Sequence, residues 1–112
     1  MNIDATELQG KVAIVTGGGR GLGRVMTLSL LEAGAHVCAA MHIAQDIEGL
    51  RGEAKARGAA DRLNAVVADI RDAQACQNVV AECNAAFGPA CILVNNAGVG
   101  MLLVSNTFHT EP

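Results

Sequence analysis

The chain has 112 residues, room for at most one domain of ordinary size. Half of it is apolar (51%), 17% is charged, and 8 Lys plus Arg against 11 Asp plus Glu leave a net charge of −3. That balance excludes a disordered chain, a collagen-like repeat and a coiled coil, and it offers no basic footprint for nucleic acid or an anionic membrane.

The opening Met1–Glu7 is polar and acidic, without the basic and apolar regions of a secretory signal, so a cytoplasmic location is expected. The first apolar run, Val12 to Val15, stops at Thr16-Gly17 and predicts a buried strand. Leu22 to Ala33 follows with helical spacing, its face given by Leu22, Val25, Met26, Ser29, Leu30 and Ala33, and Gly34 stands as its C-terminal stop. A second strand is predicted from Val37 to Met41. Ile43, Ile47, Leu50 and Ala54 then mark a helix, weakened by Gly49 and Gly52 and ended by Gly58. A third strand, Ala65 to Ala68, stops at Asp69. Asp72 is the expected N-cap of a helix whose face is Cys76, Val79, Val80, Cys83 and Phe87, closed by Gly88-Pro89. Ile92 to Asn95 is the fourth strand. The longest unbroken apolar run, Ala97–Val104, is eight residues and holds two glycines, far short of the roughly 20 a membrane span requires.

Strands apolar on both faces, alternating with helices over short connections, predict an α/β fold. Its sheet is parallel and doubly wound, in the order βαβαβαβ. The segment from Val99 to Pro112 shows no period and no closing element, and the expectation is a chain truncated after the fourth strand.

Thr16-Gly17-Gly18-Gly19-Arg20-Gly21-Leu22-Gly23 lies where the first strand becomes the first helix. Glycines there let the backbone turn sharply and come close to a pyrophosphate, which can rest on the unpaired N–H groups of the helix start. A mononucleotide P-loop needs Lys and Ser or Thr after its last glycine, whereas Gly23 is followed by Arg24-Val25. The strict G-x-G-x-x-G pattern also fails, because Leu22 stands at its third position.

What fits is Thr-Gly-x-x-x-Gly-x-Gly, on Thr16, Gly17, Gly21 and Gly23. In this the chain resembles the classical short-chain dehydrogenases/reductases. Three further features carry the resemblance: the opening Leu8-Gln9-Gly10-Lys11-Val12-Ala13, Asp69-Ile70 at the end of the third strand, and Asn95-Asn96-Ala97-Gly98 at the end of the fourth. The resemblance covers nearly the whole chain but only the first half of that family's fold. It implies an incomplete Rossmann-like NAD(P)-binding domain. The implied cofactor residues are Thr16, Gly17, Gly19, Arg20, Gly21, Leu22, Gly23, Met41, His42, Asp69, Ile70, Asn95, Asn96, Ala97 and Gly98. The implied chemistry is hydride transfer between the nicotinamide and a carbonyl or alcohol carbon. The alternative is a self-standing nucleotide-binding module without catalysis.

An acidic residue ending the second strand would bond a ribose 2′-OH and repel a 2′-phosphate. Met41 and His42 occupy that position, and neither is acidic. Asp46 falls inside the next helix and reads as an ordinary solvent-facing residue. Arg20 and His42 match places where family members that take NADP often carry basic residues, so NADP is expected over NAD.

The family's tyrosine, the lysine four residues beyond it and its serine have no counterparts. The chain holds no Tyr, Lys11 and Lys55 belong to the first strand and second helix, and Ser29 and Ser105 are misplaced. No catalytic residue is assigned, and no dehydrogenase activity is expected from this chain alone. A small-molecule substrate is expected only in the complete protein. Cys38, Cys76, Cys83 and Cys91 form no C-x-x-C pair and read as buried structural thiols, and His36, His42 and His109 form no metal pattern. A fourth strand without a partner on its outer side is expected to promote self-association.

Overall fold

Strand-length apolar runs need cover on both faces, and the middle of this protein's sheet has it. The computed structural model describes residues 7–96. In them run β1 (Val12–Thr16), α1 (Gly21–Glu32), β2 (His36–Met41), α2 (Asp46–Ala56), a single 3-10 turn (Ala60–Arg62), β3 (Leu63–Val67), α3 (Ala73–Ala86) and β4 (Ile92–Asn95). The four strands form one parallel sheet in the order β3-β2-β1-β4. Side-chain alternation divides its interior in two. Ala13 and Val15 of β1, with Val37, Ala39 and Met41 of β2, pack against Leu28 and Leu31 of α1 and Leu50 and Ala54 of α2. Val12 and Ile14, with Cys38 and Ala40, face Val79 and Cys83 of α3 on the other side. The sheet is therefore doubly wound and Rossmann-like, as expected. Leu31 and Leu50 are wholly buried, and burial of such a side chain contributes roughly 1.5–3 kcal/mol.

Helix ends follow the punctuation in the sequence. Gly34, at φ 100°, lets its own N–H reach Leu31 O (3.0 Å) and the next N–H, of Ala35, reach Leu30 O (3.0 Å). Asp72 caps α3 by accepting from the Gln74 N–H at 3.0 Å. Arg62, from the turn before β3, donates through Nη1 to Leu31 O (2.6 Å) and Ala35 O (3.2 Å), closing the C-terminal end of α1.

Three expectations need correction. The buried side of α1 is Gly23, Thr27, Leu28 and Leu31, while Leu22 and Val25 are 65% and 58% exposed. This helix carries apolar residues all round, and its sheet-facing stripe is the one with the small residues that permit close approach. The third strand begins at Leu63 rather than Ala65 and lies at the sheet edge, so its residues are only half-buried and Val67 is exposed. Of the four thiols, only Cys38 and Cys83 are buried; Cys76 is half-buried and Cys91 is exposed, because it precedes the edge strand β4. Burial pushes the Cys38 thiol up to about 12.

Candidate functional site

From β1 the chain winds outward through β2 to β3, and α3 then carries it back to the far side of β1, where β4 pairs. The strand order therefore reverses between β1 and β4, and in a doubly wound sheet this is the place where a crevice opens at the carboxyl ends of the strands. Thr16 ties the two lips together. Its Oγ1 donates to Val94 O (3.3 Å) and accepts from the Asn96 N–H (3.0 Å).

The glycine loop forms one wall. Gly21 opens α1 with φ 56°, and beyond its own turn of helix no atom of the described residues lies within 4 Å of where its Cβ would stand. At Gly23 the reason for glycine is contact: a Cβ would stand 1.9 Å from Gly17 O and 2.7 Å from Asn96 Nδ2. Gly19 is pressed against the end of β2, where a Cβ would meet Asp46 Cβ at 2.8 Å and Met41 Sδ at 2.9 Å. Of the three α-helices described, α1 alone has neither a capping side chain nor an acidic residue in its first turn. Its first N–H groups and the positive end of its dipole are left for something else.

A cleft of about 500 Å³ extends from this loop across the ends of β2 and β3. Gly17, Gly19, Arg20, Met41, His42, Asp69, Ile70 and Asn96 line it, so most of the residues implied by the glycine, aspartate and asparagine motifs converge. Thr16, Gly21, Leu22, Gly23 and Asn95 adjoin it without lining it, and Ala97 and Gly98 lie outside the described residues. Ala40, Ile43, Asp46, Ala68 and Arg71 also line it and were not singled out from the sequence.

Two of these additions matter electrostatically. Asp46 is not an ordinary solvent-facing residue. Its side chain is 17% exposed and takes Arg20 in a two-pronged pair, Nε–Oδ2 2.8 Å and Nη2–Oδ1 3.1 Å. The hydrogen bond from Arg20 holds the Asp46 carboxyl below the usual range, and the same bond raises Arg20. Across the cleft, Asp69 Oδ1 accepts from the Arg71 backbone N–H and Nε, both at 3.0 Å, and Oδ2 accepts from Nη2 at 2.9 Å. Those side-chain bonds, then the backbone bond, lower the Asp69 carboxyl to about 2. The Asp69 pair could have been foreseen as a two-residue Asx turn. The Asp46 pair could not, since it spans 26 residues with no local period to announce it. It is the first of three pairs along the α1–α2 seam, followed by Arg24–Glu53 and by Arg57–Glu32 at 2.8 Å. Among the described residues no group of three His, Cys, Asp or Glu is arranged to hold a metal, and no helix is long and apolar enough to cross a membrane.

The short chain dehydrogenase family pattern matches residues 11–111. The chain is 34% identical over 97 residues to 2,3-dihydro-2,3-dihydroxybenzoate dehydrogenase of Bacillus subtilis, covering 87% of this chain and 36% of that one. Among solved structures, glucose dehydrogenase of Caenorhabditis elegans in its apo form superposes with a TM-score of 0.80 at 32% identity, over 91% of this chain and 44% of the other. The C-domain of a bacterial malonyl-CoA reductase, solved with NADP, gives 0.79 at 27% identity, over 87% and 16%. The chain thus spans about a third of the length of the curated relatives it matches. The family match runs from the residue before β1 past the end of β4, over most of the chain, and the chain belongs to the short chain dehydrogenase family.

Proposed function

We propose that this chain binds a nicotinamide dinucleotide and forms the cofactor-binding part, residues 1–112, of an oxidoreductase. The observation that carries this reading is the uncapped N-terminus of α1, set behind the glycine loop where the strand order reverses. The residues present fit the group. The open space over Gly21 is where a pyrophosphate would lie, held by N–H groups at the start of α1, and Gly17, Gly19, Leu22 and Gly23 form its backbone cradle. Met41, His42 and Arg20 would flank the adenosine ribose, with Asp69 and Ile70 beside the adenine. Thr16, Asn95 and Asn96 hold the opposite lip, and Ala97 and Gly98 continue the same motif in sequence.

When bound, the nicotinamide supplies or accepts a hydride. The proton that accompanies it needs a group this chain does not offer in the family's usual form, because the 112 residues contain no tyrosine. We therefore assign substrate binding and proton transfer to the complete protein, acting on a carbonyl or alcohol of a small molecule. NADP is the proposed preference over NAD. The residues ending β2 are not acidic, and Arg20 stands at the mouth of the cleft.

The test is a fluorescence titration with NADPH and NADH, comparing the protein with Gly21→Val. A valine at positive φ is strained, and its side chain projects into the proposed pyrophosphate space. The wild type is expected to bind and the variant to lose at least about tenfold in affinity with an unchanged circular dichroism spectrum. Equal binding by a folded variant overturns the proposal.

A further inference from the structure

Arg20 is the one cation of the glycine loop, yet it does not face the cleft as a free charge. One edge of its guanidinium, the Nε and Nη2 donors, is already committed to Asp46, at 2.8 Å and 3.1 Å. The acid is the anchored member: its side chain is 17% exposed, whereas that of Arg20 is 66% exposed. Asp46 is also seated against the backbone of the loop. Its Cβ lies 2.8 Å from where a Cβ of Gly19 would stand, beside Met41 Sδ at 2.9 Å. This is the corner between the loop after β1 and the end of β2, the place a dinucleotide's adenosine ribose takes in a doubly wound sheet. The carboxylate reaches that corner from the first turn of α2, five positions past the strand end, where sequence position alone does not reveal it.

Resting on the dinucleotide reading above, we propose that Asp46 is a specificity-determining residue: its carboxylate competes with a cofactor 2′-phosphate for Arg20 and itself accepts from a ribose 2′-OH. A 2′-phosphate entering here meets a guanidinium whose charge is already balanced, and it meets the carboxylate as well. Its gain is limited to the outer N–H groups of Arg20, offset by repulsion from Asp46. A ribose without the phosphate finds a carboxylate acceptor where the end of β2 supplies none. The pair therefore keeps the NADP preference small in the protein as it stands, and deleting the carboxylate releases it. Arg71 does not replace this arrangement, because its guanidinium is engaged by Asp69 within the same turn.

Isothermal titration of the protein with NADP⁺ and NAD⁺ tests this. Asp46→Asn keeps the shape and removes the charge. It is expected to tighten NADP⁺ by about tenfold and to weaken NAD⁺ a few-fold. In Asp46→Asn combined with Arg20→Gln the gain for NADP⁺ should vanish. Arg20→Gln alone reads the same pair from its other side and does not depend on how the Asp46 variant folds: NADP⁺ should fall by about tenfold while NAD⁺ holds within about twofold. Loss of NADP⁺ affinity in Asp46→Asn, an unchanged ratio between the two cofactors, or equal losses in Arg20→Gln overturns the proposal and leaves the dinucleotide site standing. Absence of binding of either cofactor by the wild type overturns both.

Discussion

Two glycines of the loop are needed for different reasons, and substitution separates them. Alanine at Gly21 meets no neighbour and is opposed only by its φ of 56°, a strain of about 1–2 kcal/mol. Alanine at Gly23 collides with the Gly17 carbonyl and the Asn96 side chain, so the loop has to move away from β4. Gly23→Ala is expected to lower stability by about 1–3 kcal/mol in urea denaturation and to open the crevice, whereas a Gly21→Ala protein should keep the lips together. Asp69 supports a pH prediction. Its carboxyl is lowered to about 2 in the folded chain from an ordinary 3.8, so its pair with Arg71 stabilises the fold fully above about pH 4 and is lost as the pH falls through about 2. A carboxyl-carbon NMR titration should place the Asp69 midpoint near 2. Arg71→Gln should return it toward the ordinary carboxylate range, and salt should narrow the difference because both side chains reach solvent.

Among the elements, α1 is held at its C-terminal end by a residue far from it in sequence. One of its last carbonyls, that of Leu31, is closed by Arg62, 31 residues further on, so one side chain joins the end of α1 to the start of β3. Arg62→Met keeps much of the stem and removes the donors; a loss of about 1–2 kcal/mol by thermal or urea unfolding is expected. A loss no larger than that of Arg51→Met, an exposed arginine on α2, would contradict this role. The strands, their parallel arrangement and the glycine loop were legible in the sequence, because strand-length apolar runs and glycines at strand ends are local signals. The face of α1 was not. Leu22, Val25, Met26, Leu30 and Leu31 place apolar residues on every side, and the decisive mark is the spacing of Gly23 and Thr27, which lets the helix approach the sheet closely. The missing Cβ of Gly18 lies 2.9 Å from Thr27 Oγ1. In the cleft, the glycine and Asp69 positions were readable as motifs. The hold of Asp46 on Arg20 was not, since only folding brings α2 against the loop after β1.

For the molecule as a whole, β4 is one of the two margins of the described sheet, opposite β3. It pairs with β1 on one side only, and Leu93 is 48% exposed. An apolar strand with open backbone groups is a template for pairing with another chain. The isolated 112-residue protein is expected to grow in apparent mass with concentration in light scattering, and Leu93→Lys should suppress that growth. A wild type that stays monomeric throughout would refute the expectation. The Thr16 lash carries a consequence for the timing of assembly. β1, β2 and β3 are each joined to the next by a single helical crossover and can dock in succession as the chain lengthens. Thr16 and Val94, by contrast, are 78 residues apart. Closing so long a loop precedes any reward from the contact, so this is the slow step of a parallel sheet. The crevice is thus expected to be the last feature of the described fold to form. A nascent chain that has exposed its glycine loop still lacks the opposite lip until β4 has emerged and reached back to the first strand.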